Sequence, residues 1–334
     1  MDGSQALGDV TLGRAGVKVS RLGFGGAPIA GLFQAVDDDT AHSALTAAWN
    51  CGIRYYDTAP HYGAGLSERR IGRFLRAHPA EQWALSTKVG RVIAAAPPEA
   101  ADNVGFVDEQ PTARSFDFSR AGVRRSFEAS LERLGVDHVD IVFLHDPDDY
   151  LDDAIAQGWP MLSKLRDEGM ASSIGAGMNQ TAGLTRLVRE TDIDVVLLAG
   201  RYTLLDQAAL DELFPACLRR HTSVVVGGVF NSGILADPVA QSQFDYKPAS
   251  REIRERALRI EKVCADHGVP IAAAALQFPL AHPAVTSIVV GTRSAAEVHE
   301  NSRLLNMPIP MELWAALRAE SLLRHDAPLP GDRP

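Results

Sequence analysis

Short apolar runs alternate with helix-period stretches along almost the whole chain. The apolar runs are "SRLGFGG" (20–26), "GIRYYDT" (52–58), "WALSTKV" (83–89), "HVDIVFLH" (138–145), "ASSIGAG" (171–177), "DVVLLAG" (194–200), "TSVVVGG" (222–228) and "TSIVVGT" (286–292). Several are apolar on successive residues, the mark of strands covered on both faces of a parallel sheet. Between them, "DDTAHSALTAAWNCG", "LSERRIGRFL", "SRAGVRRSFEASLERLG", "WPMLSKLRDEG", "TAGLTRLVRET" and "SREIRERALRIEKVCADHG" repeat their apolar positions every three to four residues, as amphipathic helices do. Ser119 stands where a helix amino terminus needs a cap, and Gly135, Gly169 and Gly268 stand where a helix ends in a left-handed residue. Eight strands in a βαβα rhythm predict an α/β protein, a single (β/α)8 TIM barrel over 1–334.

Three segments exceed a minimal barrel. "VTLGRAGVKVS" reads as a hairpin able to plug the amino-terminal end of the barrel. The stretch from Gly90 to Phe118 is long for a βα loop, so a functional lid or a disordered segment is expected. An extra helix from about Met311 to Leu323 precedes a proline-rich tail, about 324–334, predicted to lie over the mouth or to fray.

Composition narrows the class. With 334 residues, 46% hydrophobic and 22% charged, the chain can bury a large core, and a net charge of −9 argues against nucleic acid or an anionic membrane as partner. Three isolated cysteines, Cys51, Cys217 and Cys264, have no metal-ligand spacing, so no disulfide framework or zinc site is expected. The first residues lack a signal-peptide pattern and the longest apolar stretch, "IAAAALQFPLA", is too short to cross a bilayer. A cytoplasmic protein acting on a small molecule, monomeric or a weak homo-oligomer, is the expectation.

The chemistry sits at strand ends, where a barrel of this kind carries its site. Asp57 closes the second run, Lys88 the third and His145 the fourth, while Tyr62 follows Asp57 in the loop "DTAPHYG". Singly, each reads as a structural ion pair or a capped loop. Together on neighbouring strand ends they read as a proton-transfer site: a lysine ammonium beside a tyrosine favours the phenolate, Asp57 keeps Lys88 charged and aimed, and His145 positions an oxygen of the substrate. The turn "GTRS", Gly291 to Ser294, opens a helix whose free N–H groups suit a phosphate.

The run "DTAPHYGAGLSERRIG", with "STKVG" and "FLHDPD", resembles the aldo-keto reductase signature, and the likeness extends from "VSRLGFGG" to "GTRSAAEVHEN". The resemblance implies Tyr62 as general acid or base, tuned by Lys88 and Asp57, with His145 orienting the carbonyl or hydroxyl, and nicotinamide hydride chemistry without a metal. It implies dinucleotide contacts from Gly25, Gly26 and Asp57, and from Asn179 to the carboxamide. Phe230, Asn231, Ser232 and Gly233 would cover the pyrophosphate. Gly291, Thr292, Arg293, Glu297, Glu300 and Asn301 would hold the adenosine half. Glu297 stands where relatives preferring NADPH carry arginine, which favours NAD over NADP.

Within the family, "GGVFNSGIL", "GAGMNQ" and "AGRYTLLDQ" are similar to the subgroup that oxidises aldoses of the L-fucose, D-threo-aldose and L-galactose type and pyridoxal. That implies oxidation of an aldose at C1 to the lactone. Ala27 leaves room for a pyranose, with His61, Trp159 and residues 91–117 as walls. The competing expectations are a pyridoxal 4-dehydrogenase, a general NADPH-dependent carbonyl reductase and a non-catalytic cofactor-binding regulatory subunit. The absence of an H-x-H pair on the first strand speaks against a metal-dependent hydrolase.

Overall fold

A computed structural model of the chain describes residues 8–97, 99, 101–102, 105–107, 111–240 and 243–331. Strands β1 (Asp9–Leu12) and β2 (Val17–Ser20) pair antiparallel as the expected hairpin. The eight expected runs become β3 (Leu22–Gly25), β4 (Tyr55–Asp57), β5 (Ala84–Val89), β8 (Val139–His145), β9 (Ala171–Met178), β10 (Val195–Ala199), β11 (Ser223–Gly227) and β14 (Val285–Gly291). They pair in parallel and close in the order β3-β4-β5-β8-β9-β10-β11-β14 and back to β3. Two small antiparallel hairpins stand outside this barrel, β6 (Arg91–Ala95) with β7 (Thr112–Phe116) and β12 (Gln243–Phe244) with β13 (Lys247–Pro248).

The helices that cover the strands are α1 (Asp38–Asn50), α2 (Leu66–Leu75), α3 (Arg120–Leu134), the single turn α4 (Leu151–Asp153) leading to α5 (Trp159–Asp167), α6 (Thr181–Glu190), α7 (Leu213–Arg220), α8 (Arg251–Asp266), α9 (Ile271–Gln277) and α10 (Ala295–Leu305). A further helix, α11 (Met311–Ala319), follows. Their ends use the residues the sequence offers: Ser119 Oγ accepts from the Gly122 N–H, and Gly135 turns the chain left-handed at φ 68°.

Strand alternation sorts the core into two layers. Leu22, Phe24, Tyr56, Leu85, Val142 and Leu144 face the helices, in one cluster with the buried faces of α1 to α3. Tyr55, Ala84, Ile141, Phe143, Val195, Leu197, Val225 and Val289 fill the barrel, closed from below by Leu12, Val17 and Val19 of the hairpin. The filling alternates large and small: a Cβ on Gly175 would stand 2.8 Å from the Phe143 ring and 2.1 Å from the Val195 carbonyl oxygen, so only glycine admits that ring.

Two expectations are corrected. The connection 91–117 is not a plain loop: β6 and β7 form a ribbon within it, while 98, 100, 103–104 and 108–110 lie outside the described residues. Residues 324–331 do not lie over the mouth. Ala327 and Leu329 are buried in the outer cluster, and Leu329 to Gly331 border Arg21 and Leu280, beside segments that enter β3 and β14 at the opposite end. Residues 332–334 lie outside the described residues.

Candidate active site

Every second residue of a barrel strand points inward, and the same phase that buries the core carries the chemistry. Asp57 lies two residues beyond Tyr55, Lys88 four beyond Ala84 and His145 two beyond Phe143, so each occupies the layer directly above the apolar filling. Tyr62 reaches the same point from the turn after β4, whose backbone is fixed by Tyr62 N–H donating to the Ala59 carbonyl.

Lys88 is the hub. Its Nζ donates to Asp57 Oδ2 at 2.6 Å, to the Thr58 carbonyl at 2.9 Å and to the Tyr62 hydroxyl at 3.0 Å, and it is 2% exposed. Three acceptors use all three protons of an ammonium. Burial works against its charge, but Asp57 and Tyr62 outweigh burial and hold its pKa above the ordinary lysine value. Behind Asp57 a second chain of bonds runs into the core: Ser86 Oγ donates to Asp57 Oδ1 at 2.6 Å and meets the buried Tyr55 hydroxyl at 3.0 Å. Both carboxylate oxygens of Asp57 are therefore fixed.

The expected lowering of the Tyr62 pKa does not occur in this state. Burial is the largest influence and pushes the hydroxyl up to about 12, with Lys88 pulling it back only in part. The His145 imidazole, whose ring stands edge-on to Tyr62 at 6.0 Å, is held neutral: burial, then the charges of Arg91 and Lys88, push its pKa well below the usual histidine range. Burial likewise pushes His61 down to about 3, followed by Arg91, Arg114 and Lys88.

Tyr62, Lys88 and His145 open onto one cavity of about 540 Å³, which Ala27, His61 and Asn179 also border. Residues 91–117, expected as a wall, supply Arg91 and Phe106, while the walls the sequence did not single out are Leu32 and Phe33 beyond β3, Asp146 after β8 and Tyr246 between β12 and β13. Phe33 and Tyr246 meet across the mouth with ring centroids 5.8 Å apart. Trp159 is a correction. Its indole packs in the outer layer and donates to Asp192 Oδ1 at 2.8 Å, at the end of the barrel where β10 begins, away from the cavity.

Several of the positions expected to meet a dinucleotide follow the neighbouring strands β11, β14 and β3. Gly25 pairs with Gly291 in the ladder, and Gly26 is small because a Cβ would strike Ser67 Oγ, a packing reason independent of any ligand. Phe230 to Gly233 form a turn in which Asn231 and Ser232 take left-handed φ of 44° and 60°; Asn231 Nδ2 donates to the Gly200 carbonyl at 3.1 Å. Asn231 Oδ1 and Thr292 Oγ1 are buried polar atoms without a partner among the described residues, which fits a bound polar group there. Ser294 caps α10 by accepting from the Glu297 N–H, and Thr292 and Asn301 border one small gap against β3. Glu297 is not a bare carboxylate: it accepts from the Arg293 N–H at 2.8 Å and lies 3.5 Å from the Arg293 guanidinium. Glu300 is tied to Arg303 on an exposed face.

The sequence model of the Aldo/keto reductase family matches residues 21–321. The D-threo-aldose 1-dehydrogenase of a Pseudomonas species is 43% identical over 92% of this chain and 96% of its own length. The pyridoxal 4-dehydrogenase of Microbacterium luteolum is 40% identical over 93% and 97%. Among solved structures, an aldo-keto reductase of Bacillus halodurans in its holo form superposes with a TM-score of 0.76, covering 98% of this chain and 100% of its own at 23% identity, a likeness of fold.

Proposed function

Since this chain belongs to the aldo/keto reductase family and is an NAD(P)-dependent oxidoreductase, we propose that it oxidises an aldose at C1 to the lactone with NAD as acceptor. The observation that carries the reading is the hydrogen-bonded line Asp57–Lys88–Tyr62 beneath a cavity that also exposes neutral His145. The relative named for D-threo-aldose oxidation supports the substrate class. A bound nicotinamide dinucleotide would supply the hydride acceptor for C1. Tyr62 as the phenolate, stabilised by the fixed charge of Lys88, takes the proton of the anomeric hydroxyl and becomes the neutral phenol, while Asp57 with Ser86 holds Lys88 in place. A neutral His145 hydrogen-bonds the sugar oxygen without placing a second charge beside Lys88. Asn231 and Thr292 would hold the dinucleotide. Because Arg293 already partners Glu297, a preference for NAD over NADP rests on a neutralised pair and is modest.

The test is NADH or NADPH production by the purified chain with L-fucose, L-galactose, D-arabinose and pyridoxal. Strong turnover of an aldose with NAD is the expected result; pyridoxal alone as substrate would overturn it in favour of the pyridoxal reading, which the Microbacterium relative supports.

The direction of the Tyr62 shift gives a pH profile. Raised to about 12, the hydroxyl stays protonated through neutrality, so the base form needed for oxidation is scarce at pH 7 and grows as pH rises. Oxidative kcat/KM should climb by up to about tenfold per unit from pH 7 to 10. Carbonyl reduction, which uses the protonated form, should stay flat over the same range. His61 and His145 are neutral throughout it, so an inflection near pH 6 to 7 in the oxidative profile would assign the base to a histidine instead.

A further inference from the structure

We propose that Arg91 and Asp146 form a hydroxyl-binding subsite that takes a vicinal diol of the substrate. The proposal rests on the aldose reading above and deepens it by saying how polyhydroxylated compounds are told from plain carbonyls. Arg91 begins β6 directly after Gly90, which turns left-handed at φ 94°, and Asp146 directly follows His145. The Arg91 guanidinium meets Asp146 Oδ2 at 2.5 Å, and both side chains border the cavity with Tyr62 and His145, 20% and 26% exposed.

Both members are held in place by their surroundings. Asp146 is a non-glycine residue at φ 45°, a conformation that costs free energy, and its N–H donates to the Gly177 carbonyl at 2.9 Å. The Arg91 guanidinium lies 5.0 Å from the centre of the Phe116 ring. Hydrogen-bonding capacity is left over: Arg91 Nε is buried without a partner among the described residues. Burying two charges is costly unless their remaining donors and acceptors are used. Asp146 Oδ2 also lies 3.7 Å from His145 Nε2, so a substrate whose reacting oxygen meets His145 presents its adjoining carbons to the pair.

The chemistry of the pair selects the ligand. A hydroxyl can donate to a carboxylate and accept from a guanidinium at once, and two neighbouring hydroxyls match the side-by-side acceptor and donor of an Arg–Asp pair. An anionic group would gain from Arg91 but would face Asp146, which already neutralises it. The rings of Phe106 and Tyr246 border the same cavity and suit the C–H face of a sugar ring.

The experiment compares matched substrates that differ only in their hydroxyls, using the full chain and its Asp146→Asn, Arg91→Met and Arg91→Lys variants, each checked by thermal melting. The oxidative pair is L-galactose against the tetrahydropyran hemiacetal that bears no other hydroxyl, with NAD. The reductive pair is glyceraldehyde against propanal, with NADH. Asp146→Asn and Arg91→Met should lose on the order of tenfold to a hundredfold in kcat/KM on the hydroxylated member, mainly through KM, and at least tenfold less on its partner. Arg91→Lys should fall between, since lysine keeps the charge without the fork.

Equal losses on both members would overturn the proposal and make the pair a tie between the ribbon and β8. A wild-type chain that does not distinguish the members of either pair, or that prefers a phosphorylated aldehyde over glyceraldehyde, would also overturn it. Failure of the aldose reading is separate: a chain that reduces aldehydes yet oxidises no aldose sinks that reading, while the glyceraldehyde and propanal comparison still decides the subsite.

Discussion

Tyr62→Phe is expected to abolish turnover by three orders of magnitude or more while leaving dinucleotide binding within about twofold. The hydroxyl combines reach into the cavity with a bond to the fixed ammonium of Lys88, at 3.0 Å from its Nζ. General acid-base catalysis contributes on the order of 10² to 10⁴ in rate, and loss of the only proton acceptor aligned with the substrate should fall in the upper part of that range. Phenylalanine keeps the ring, so the edge-on packing against His145 and the neighbouring Phe106 survives. What changes inside is that Lys88 loses one of three acceptors while retaining Asp57 and Thr58, so its charge stays compensated. Steady-state kinetics, with dinucleotide affinity followed by tryptophan fluorescence, checks both halves. Turnover within tenfold of wild type would remove Tyr62 from the chemistry. Loss of dinucleotide binding would mean that the ring shapes the mouth rather than moving the proton.

The barrel and the four polar positions were legible in the sequence for one shared reason. The strands are apolar on successive residues and end abruptly in residues whose polarity has no packing explanation. His145 after "VDIVFL" and Lys88 after "ALST" both continue the inward phase of their strand. What was not legible depended on partners far away in the chain or on burial. The ribbon strands "RVIAA" and "TARSF" show no regular alternation of apolar and polar positions, so the segment was expected as a wall without its hairpin form and without Arg91 singled out. Tyr246 sits in a two-residue turn between two-residue strands, too short for any period to show. Trp159 misled because a large ring beyond a strand end suggests a pocket wall, whereas Asp192 claims its N–H from the far end of the barrel. Glu297 pairs with Arg293 four residues away, a pairing that the spacing alone allows but does not fix. The Tyr62 pKa erred because a sequence displays the neighbouring lysine and not the burial that outweighs it.

Glu68→Ala should cost about 3 kcal/mol of stability, the largest effect expected from a residue outside the cavity. Glu68 lies in the first turn of α2, fully buried, and both of its oxygens are used: Thr87 Oγ1 donates to Oε1 at 2.7 Å and Arg133 Nε to Oε2 at 2.6 Å. One carboxylate thus ties α2 to β5 and α3, directly behind Lys88. Removing one partner of a buried pair costs roughly 3–5 kcal/mol because the other charge is left uncompensated, and the lower end applies because Arg133 is 21% exposed and recovers some hydration. Glu68→Gln keeps an acceptor for Thr87 and should cost about half as much. The double variant Glu68→Leu with Arg133→Met, which removes both charges and fills the space, should recover most of the loss. Thermal and urea unfolding measure all three, with the single Ala variant expected to melt several degrees lower. A melting point within a degree of wild type would show that α2 is held by its apolar face alone. Equal destabilisation of the single and double variants would mean that the cost comes from lost packing volume and not from a stranded guanidinium. Because Thr87 precedes Lys88 in β5, the Ala variant should also lose turnover more than it loses dinucleotide binding, as the strand end that aims Lys88 at Tyr62 loosens.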